Sequence, residues 1–167
     1  MQYIKKIYLI LSLCLAIALP GLSQEKSHFS KEGLSEEVLS INGTKSSLND
    51  ILEKHRGKKI LMDFWASWCS DCIASIPKTK ELKEKNQDVV FIYFSLDKEI
   101  KSWKKAVKKY GMNGEHYYIS GGWKSDLSLD INLKQIPRYM VIEPDSDISL
   151  FRSNKASDKL LEEQIRK

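Results

Sequence analysis

Strand and helix patterns alternate along this chain and then close with a hairpin and a last helix, which predicts a layered α/β domain. Three observations carry that reading. Val89-Val90-Phe91-Ile92-Tyr93-Phe94 is a continuous apolar run, the sign of a strand covered on both faces. Lys59 to Trp65 is a second buried strand, separated from the first by a helical stretch. Near the end, Tyr139-Met140-Val141-Ile142, the turn Pro144-Asp145-Ser146-Asp147 and Ile148 to Phe151 read as paired strands. A length of 167 residues with 42% hydrophobic residues suits one domain with a modest core.

The elements follow in order. Residues 24–46 are polar and irregular at first; Val38-Leu39-Ser40-Ile41 before Asn42-Gly43 predicts a short strand and a tight turn. Leu48, Ile51, Leu52 and His55 are spaced i, i+3, i+4, i+7, a helix opened by a Ser47/Asp50 capping box and ended by Gly57. His55, in its last turn, reads as a packed histidine. Ser70 to about Asn86 is a helix carrying Ile73, Ile76 and Leu82, with Pro77 inside it. Asp97 is the expected cap of the next helix, whose apolar positions are Ile100, Trp103, Val107 and Tyr110 and whose stop is Gly111. Lys101, Lys104, Lys105, Lys108 and Lys109 cover the rest of it, which reads as a solvated face. His116 to Ser120 is a strand, Gly121-Gly122 a turn, and Lys124 to Ile131 a short helix. The final helix, capped by Ser157, carries Leu160, Leu161 and Ile165.

The first residues read as an export signal. Lys5 and Lys6 precede an uncharged apolar run, Ile7 to Leu19, that is short of the roughly 20 residues needed to span a bilayer. Pro20-Gly21 breaks it, and Gly21 and Ser23 stand at the −3 and −1 positions of a cut before Gln24. An uncleaved anchor is the alternative. Cys14 lies inside the apolar run without a lipoprotein pattern. The formal charge of +5 includes the two leader lysines. With no nucleic-acid motif, it indicates a lysine-rich surface rather than a nucleic-acid partner. Residues 1–23 are thus a signal peptide, 24–45 an N-terminal extension and 46–167 the main domain.

Removing the leader leaves two cysteines, Cys69 and Cys72, in Trp68-Cys69-Ser70-Asp71-Cys72. A bridge across two intervening residues closes so small a loop that it constrains little of the unfolded chain, so chemistry explains the pair better than stability. The preceding apolar strand puts Cys69 at a helix start, where unpaired N–H groups favour the thiolate that attacks disulfides. The pair can pass two electrons without a cofactor. A metal site would want four ligands where one Cys-x-x-Cys supplies two; His28, His55 and His116 are scattered without zinc spacing. Copper delivery would need a histidine such as His116 brought beside the thiolates. A binding or chaperone module without turnover is the other rival.

Asp63-Phe64-Trp65-Ala66-Ser67-Trp68-Cys69-x-x-Cys72 resembles the active-site stretch of the thioredoxin superfamily, with Pro77 where that family carries its helix-kinking proline and Ile136-Pro137 like its cis-proline loop. The extra helix and strand in residues 98–120, with an export signal, are similar to exported thioredoxins of the TlpA/ResA type. The resemblance covers residues 46–167. It implies a thioredoxin-like fold, a central mixed β-sheet flanked by helices, with a helix–strand insertion before the cis-proline loop. It also implies a periplasmic or otherwise extracytoplasmic thiol–disulfide oxidoreductase that reduces disulfides of exported proteins. Cys69 would be the nucleophile and Cys72 the resolving thiol. Asp63, in an apolar strand, would be the base that takes the Cys72 proton, its pKa raised by desolvation; a solvated aspartate paired with Lys58 or Lys59 is the alternative. Ile136 and Pro137 would present backbone to a partner peptide. Trp68 and Trp65 would wall the site, with core packing as the alternative for each; Trp123 is expected to pack. Ser70-Asp71 replaces the Gly-Pro of thioredoxin itself, and a carboxylate near Cys69 disfavours its thiolate and pushes the pair toward a reductant, with an Asp71 pointing into screening solvent as the alternative. The resemblance further implies a membrane thiol-transfer protein as electron donor and substrates such as apocytochrome cysteines or misbridged secreted proteins.

Overall fold

The computed structural model describes residues 26–166; the expected leader, its cleavage site and Cys14 lie outside them. The chain runs α1 (Lys31–Ser35), β1 (Glu37–Ser40), β2 (Lys45–Ser47), α2 (Leu48–Lys54), β3 (Ile60–Trp65), α3 (Ser70–Lys85), β4 (Val90–Ser95) and α4 (Ile100–Tyr110). It continues through β5 (Glu115–Tyr118), a 3-10 turn (Gly122–Lys124), α5 (Asp126–Asp130), β6 (Arg138–Ile142), β7 (Ile148–Ser153) and α6 (Lys159–Arg166). The strands form one mixed sheet in the order β2-β1-β5-β4-β3-β6-β7. β3, β4 and β5 are parallel; β6 and β7 add on antiparallel at one side, β1 and β2 at the other.

β3 and β4 are buried along nearly their whole length because both sheet faces are covered. Side-chain alternation divides the core. Ile60, Met62 and Phe64 of β3 pack with Leu48, Ile51, Leu127 and Ile131. Leu61 and Trp65 point the other way and pack with Cys72, Ile76, Trp103 and Leu161. Asp63, by the same alternation, faces the second group. The inserted α4 and β5 extend the sheet beyond β4, so the helix–strand insertion before Pro137 is an integral layer of the domain. Gly111 ends α4 in the left-handed region, φ +54°, as its position after the last apolar turn predicts.

Several local expectations change. The strand at Glu37–Ser40 pairs with a partner the sequence pattern does not assign, β2, and bonds to β5, which ties residues 37–47 to the sheet edge. α1 is likewise absent from the sequence expectations; Ser30 caps it, and its start is held by Asp130, which accepts from the Ser30 N–H and pairs with Lys26. The Ser47/Asp50 capping box forms as expected, but α2 ends at Lys54, and Gly57 comes later, in a turn whose N–H bonds the Pro144 carbonyl. Asp158 rather than Ser157 caps the final helix, its carboxylate accepting from the Leu160 N–H. Asp97 does not cap α4: Glu99 holds that position, without a side-chain bond, because the Asp97 carboxylate is engaged beside the cysteines.

Candidate active site

Topology gathers the site at one end of the sheet. β3 and β4 are parallel, so both end there; β6 is antiparallel to β3 and so begins there. Three loops therefore meet: Ala66–Cys69 after β3, Leu96–Glu99 after β4 and Ile136–Pro137 before β6. The carboxyl ends of parallel strands are where α/β sheets commonly place their chemistry.

Cys69 is the N-cap of α3, and its Sγ accepts from the Cys72 N–H at 3.1 Å. The two cysteines form a disulfide, with Cα atoms 5.2 Å apart. A sulfur at this cap faces unpaired helical N–H groups, which stabilise negative charge once the bond opens. Both sulfurs are nearly enclosed, Cys72 more than Cys69. Asp71, in the first turn, is exposed. The Ile136–Pro137 bond is cis, and the Ile136 carbonyl oxygen lies 3.8 Å from Cys69 Sγ. Pro137 and Ile136 also line a groove with Asp71, Ser75 and Lys78, on the side of the disulfide toward α3.

Asp63 lies beneath this surface in the middle of β3, flanked in register by Tyr93 on β4 and Tyr139 on β6. It is 5% exposed, and its Oδ1 has no hydrogen-bond partner among the described residues. Burial pushes its pKa up to about 8. The Lys59 pairing does not occur, since Lys59 bonds the Gln164 carbonyl and Glu143. Tyr139 is tied to the redox helix: its hydroxyl donates to Ser75 Oγ at 2.8 Å, and Ser75 donates to the Cys72 carbonyl at 2.7 Å.

Asp97 belongs to the site although its sequence position suggests only a helix cap. Its carboxylate accepts from the Ser67 N–H at 3.0 Å, from Ser67 Oγ and from Ser95 Oγ at 2.8 Å, while its own N–H donates to Ser95 Oγ. This network fixes the residue two before Cys69 to the end of β4. The local signal for it is Ser95-Leu96-Asp97 directly after an apolar strand, a spacing suited to a side-chain turn.

The structure decides between the two readings of Trp65 and of Trp68. Trp65 is buried among core residues and forms no wall of the surface. Trp68 stands 58% exposed next to Cys69, and Trp123, expected to pack, is 36% exposed because its 3-10 turn projects beyond the sheet end. His116 is not brought to the cysteines: it lies on β5, stacked on Tyr93 with ring centroids 4.7 Å apart and Nε2 at 3.0 Å from the Met112 carbonyl. Burial lowers its pKa to about 4.

A thioredoxin-like family model matches residues 57–148, and the chain belongs to that family. With the closed Cys69–Cys72 pair, this makes it a protein-disulfide oxidoreductase. The chain is 25% identical over 168 residues to the thiol-disulfide oxidoreductase ResA of a Bacillus cereus strain, an alignment covering 96% of this chain and 88% of that protein. Its fold matches a candidate thiol-disulfide oxidoreductase from Bacteroides vulgatus with a TM-score of 0.69 and 28% identity, covering 82% of this chain and 88% of that one. A structure from Chlorobium tepidum described as a thiol:disulfide interchange protein of the DsbE kind aligns with a TM-score of 0.67 and 20% identity, over 86% and 97% of the two chains.

Proposed function

We propose that this protein is exported through its N-terminal leader and reduces disulfides of other exported proteins. The observation that carries the reading is a cystine at the mouth of α3 together with a buried carboxyl on β3, Asp63, whose Oδ1 has no partner among the described residues and which titrates within reach of neutral pH, at about 8. In the reduced protein, the Cys69 thiolate attacks one sulfur of a partner's disulfide, forms a mixed disulfide and releases the partner's first sulfur as a thiolate. Cys72 gives its proton to Asp63 in its ionised form, the minor fraction at neutral pH that grows as pH rises through about 8, and attacks Cys69 Sγ. The Cys69–Cys72 bond forms, the partner's second thiolate leaves, and two electrons have passed to the partner. No cofactor takes part. Ile136 and Pro137 align the partner backbone along the groove.

The direction toward reduction rests on Asp71, two residues after Cys69, a like charge that opposes the thiolate, weakened by solvent screening because Asp71 is exposed. A reductant outside the cytosol must be recharged, and a membrane thiol-transfer protein is the donor this reading requires. Candidate substrates are apocytochrome cysteines and misbridged secreted proteins. The name of the ResA relative supports the exchange chemistry.

A Cys72→Ser variant tests the roles: it should accumulate mixed disulfides with partners in the native compartment, while Cys69→Ser should not. The reverse pattern overturns the assignment. Insulin reduction separates an enzyme from a holding module, since a module binds without turnover. Asp63→Asn should slow the resolving step at neutral pH by roughly tenfold or more, the range of positioned acid–base catalysis; an unchanged rate across a neutral-to-alkaline pH series removes Asp63 from the mechanism.

A further inference from the structure

Beside the disulfide, on the side away from the cis-proline groove, lies an open cleft of about 600 Å³ that the exchange steps above do not use. Trp68 and Trp123 form its apolar surface, Ser67 and Asp97 lie at its base, and Lys98 and Ser102 lead from it onto α4. Both tryptophans expose large apolar area to water, and tryptophan in such a setting is the residue type most often found carrying binding energy.

The cleft's lining carries both signs, Asp97 and Glu99 with Lys98, but the surface leading from it is rich in lysine. Ser102, Lys105 and Lys109 are spaced i, i+3, i+7 and so share one helix face, which continues the cleft as a basic stripe. Lys98, Lys105 and Lys109 are exposed, as is Lys124 beside Trp123. Among the described residues none of the four pairs with a carboxylate, whereas Lys45, Lys54, Lys59, Lys78 and Lys85 do. Of the two acids at the cleft, Asp97 is held at its base by Ser67 and Ser95 and Glu99 is exposed, so two carboxylates stand against the four lysines and leave a net positive charge. An apolar slot opening onto a row of unneutralised lysines is complementary to a segment that carries an apolar side chain followed by acids.

We propose that the cleft and the stripe dock the protein substrate: a cystine-bearing segment seats an aromatic side chain between Trp68 and Trp123 and lays acidic residues along Lys98, Lys105 and Lys109. The proposal rests on the disulfide-exchange reading and names the substrate class for it. Docking here holds the partner's cystine over Cys69 while its backbone meets Ile136, and it selects acidic partners by charge as well as by shape.

The experiment uses the full chain, reduced, and three disulfides. Two are peptides sharing one cystine and one aromatic residue, one flanked by glutamates and the other by lysines; the third is hydroxyethyl disulfide, which has nothing to dock. The unaltered protein should reduce the acidic peptide with a kcat/KM about tenfold above the basic one at low salt, and the gap should close in about 1 M salt. Relative to hydroxyethyl disulfide, Trp123→Ala should lower kcat/KM for the acidic peptide about tenfold. The double variant Lys105→Glu, Lys109→Glu should lower it about fivefold and narrow the acidic preference. Equal rates on the two peptides, or unchanged ratios in both variants, overturn the docking proposal alone. Absence of exchange with hydroxyethyl disulfide overturns the underlying reading and the docking proposal with it.

Discussion

Asp63 sits at the centre of the sheet with Tyr93 on one side and Tyr139 on the other, and its Oδ1 has no partner among the described residues. A carboxyl so placed is neutral at moderate pH, its pKa raised by burial to about 8 from an ordinary 3.8. The folded protein therefore keeps a proton that the unfolded chain releases above about pH 4, and stability is fully present below that value and is lost as pH rises through 8. Each tenfold difference in proton affinity is worth about 1.4 kcal/mol, so ionising Asp63 in place costs several kcal/mol. Asp63→Asn should leave stability near pH 4 almost unchanged and raise it at about pH 9 by a few kcal/mol. Denaturant unfolding of the oxidised protein at the two pH values measures this, and an equal effect at both would mean the carboxyl does not hold its proton. A buried carboxyl that lowers stability at working pH is not explained by packing, which fits the proton-transfer role proposed for it above.

At the level of elements, the start of α3 is defined from three directions: by its own cap at Cys69, by Ser75 and Tyr139 from beneath, and by Asp97 through Ser67. Asp97→Ala leaves the Ser67 N–H, Ser67 Oγ and Ser95 Oγ without their acceptor. The expected cost is about 2–4 kcal/mol in urea unfolding, since each buried unsatisfied donor costs about 1–3 kcal/mol. The same variant should make alkylation of Cys69 in the reduced protein faster and less selective over Cys72, because the loop before it is no longer held. At α2 the capping box satisfies two backbone donors, and Ser47→Ala should cost about 1 kcal/mol with no change in exchange rate. The contrast between these two serines is one of connection: Ser47 serves its own helix, while Ser67 joins two strands' ends at the reacting sulfur.

For the whole molecule, three groups set opposing pH slopes. Burial raises the Glu115 carboxyl, but Lys54, Tyr117 and His55 around it outweigh this and hold its pKa at about 2, so its contribution is present above about 4.5 and lost as pH falls toward 2. His116 is pulled down to about 4, chiefly by burial, so its neutral form favours folding above about 6.5 and that contribution is lost between 6.5 and 4. Asp63 acts in the other direction between about 4 and 8. From these groups stability should climb from pH 2 to about 4.5, change little to about 6.5 while His116 and Asp63 offset each other, and then fall to about 8. A thermal scan series over this range checks the shape, and Asp63→Asn should remove the alkaline fall. Glu115 and His116 both lie on β5, the strand that joins the edge hairpin to β4, so acid should loosen the β1–β2 side of the sheet first.

The buried runs of β3 and β4, the Cys69-x-x-Cys72 helix start, the Ser47/Asp50 capping box and the Gly111 stop could all be read in order along the chain, because each depends on side-chain period or on bonds reaching only three or four residues. The sequence alone determined, in this way, a layered α/β chain with a dithiol at a helix mouth. The roles of Ile136 and Pro137 came from family resemblance, since nothing local in residues 130–137 points to sulfur chemistry. Only the tertiary structure decided that Asp97 serves Ser67 instead of α4, that residues 37–47 close a sheet edge, that Trp65 is core while Trp68 and Trp123 are surface, and that His116 stands two strands away from β3. Those outcomes depend on which strand ends meet and which faces are covered. Strand order and direction, set by burial of the whole sheet, fix them, and no window of neighbouring residues contains that information.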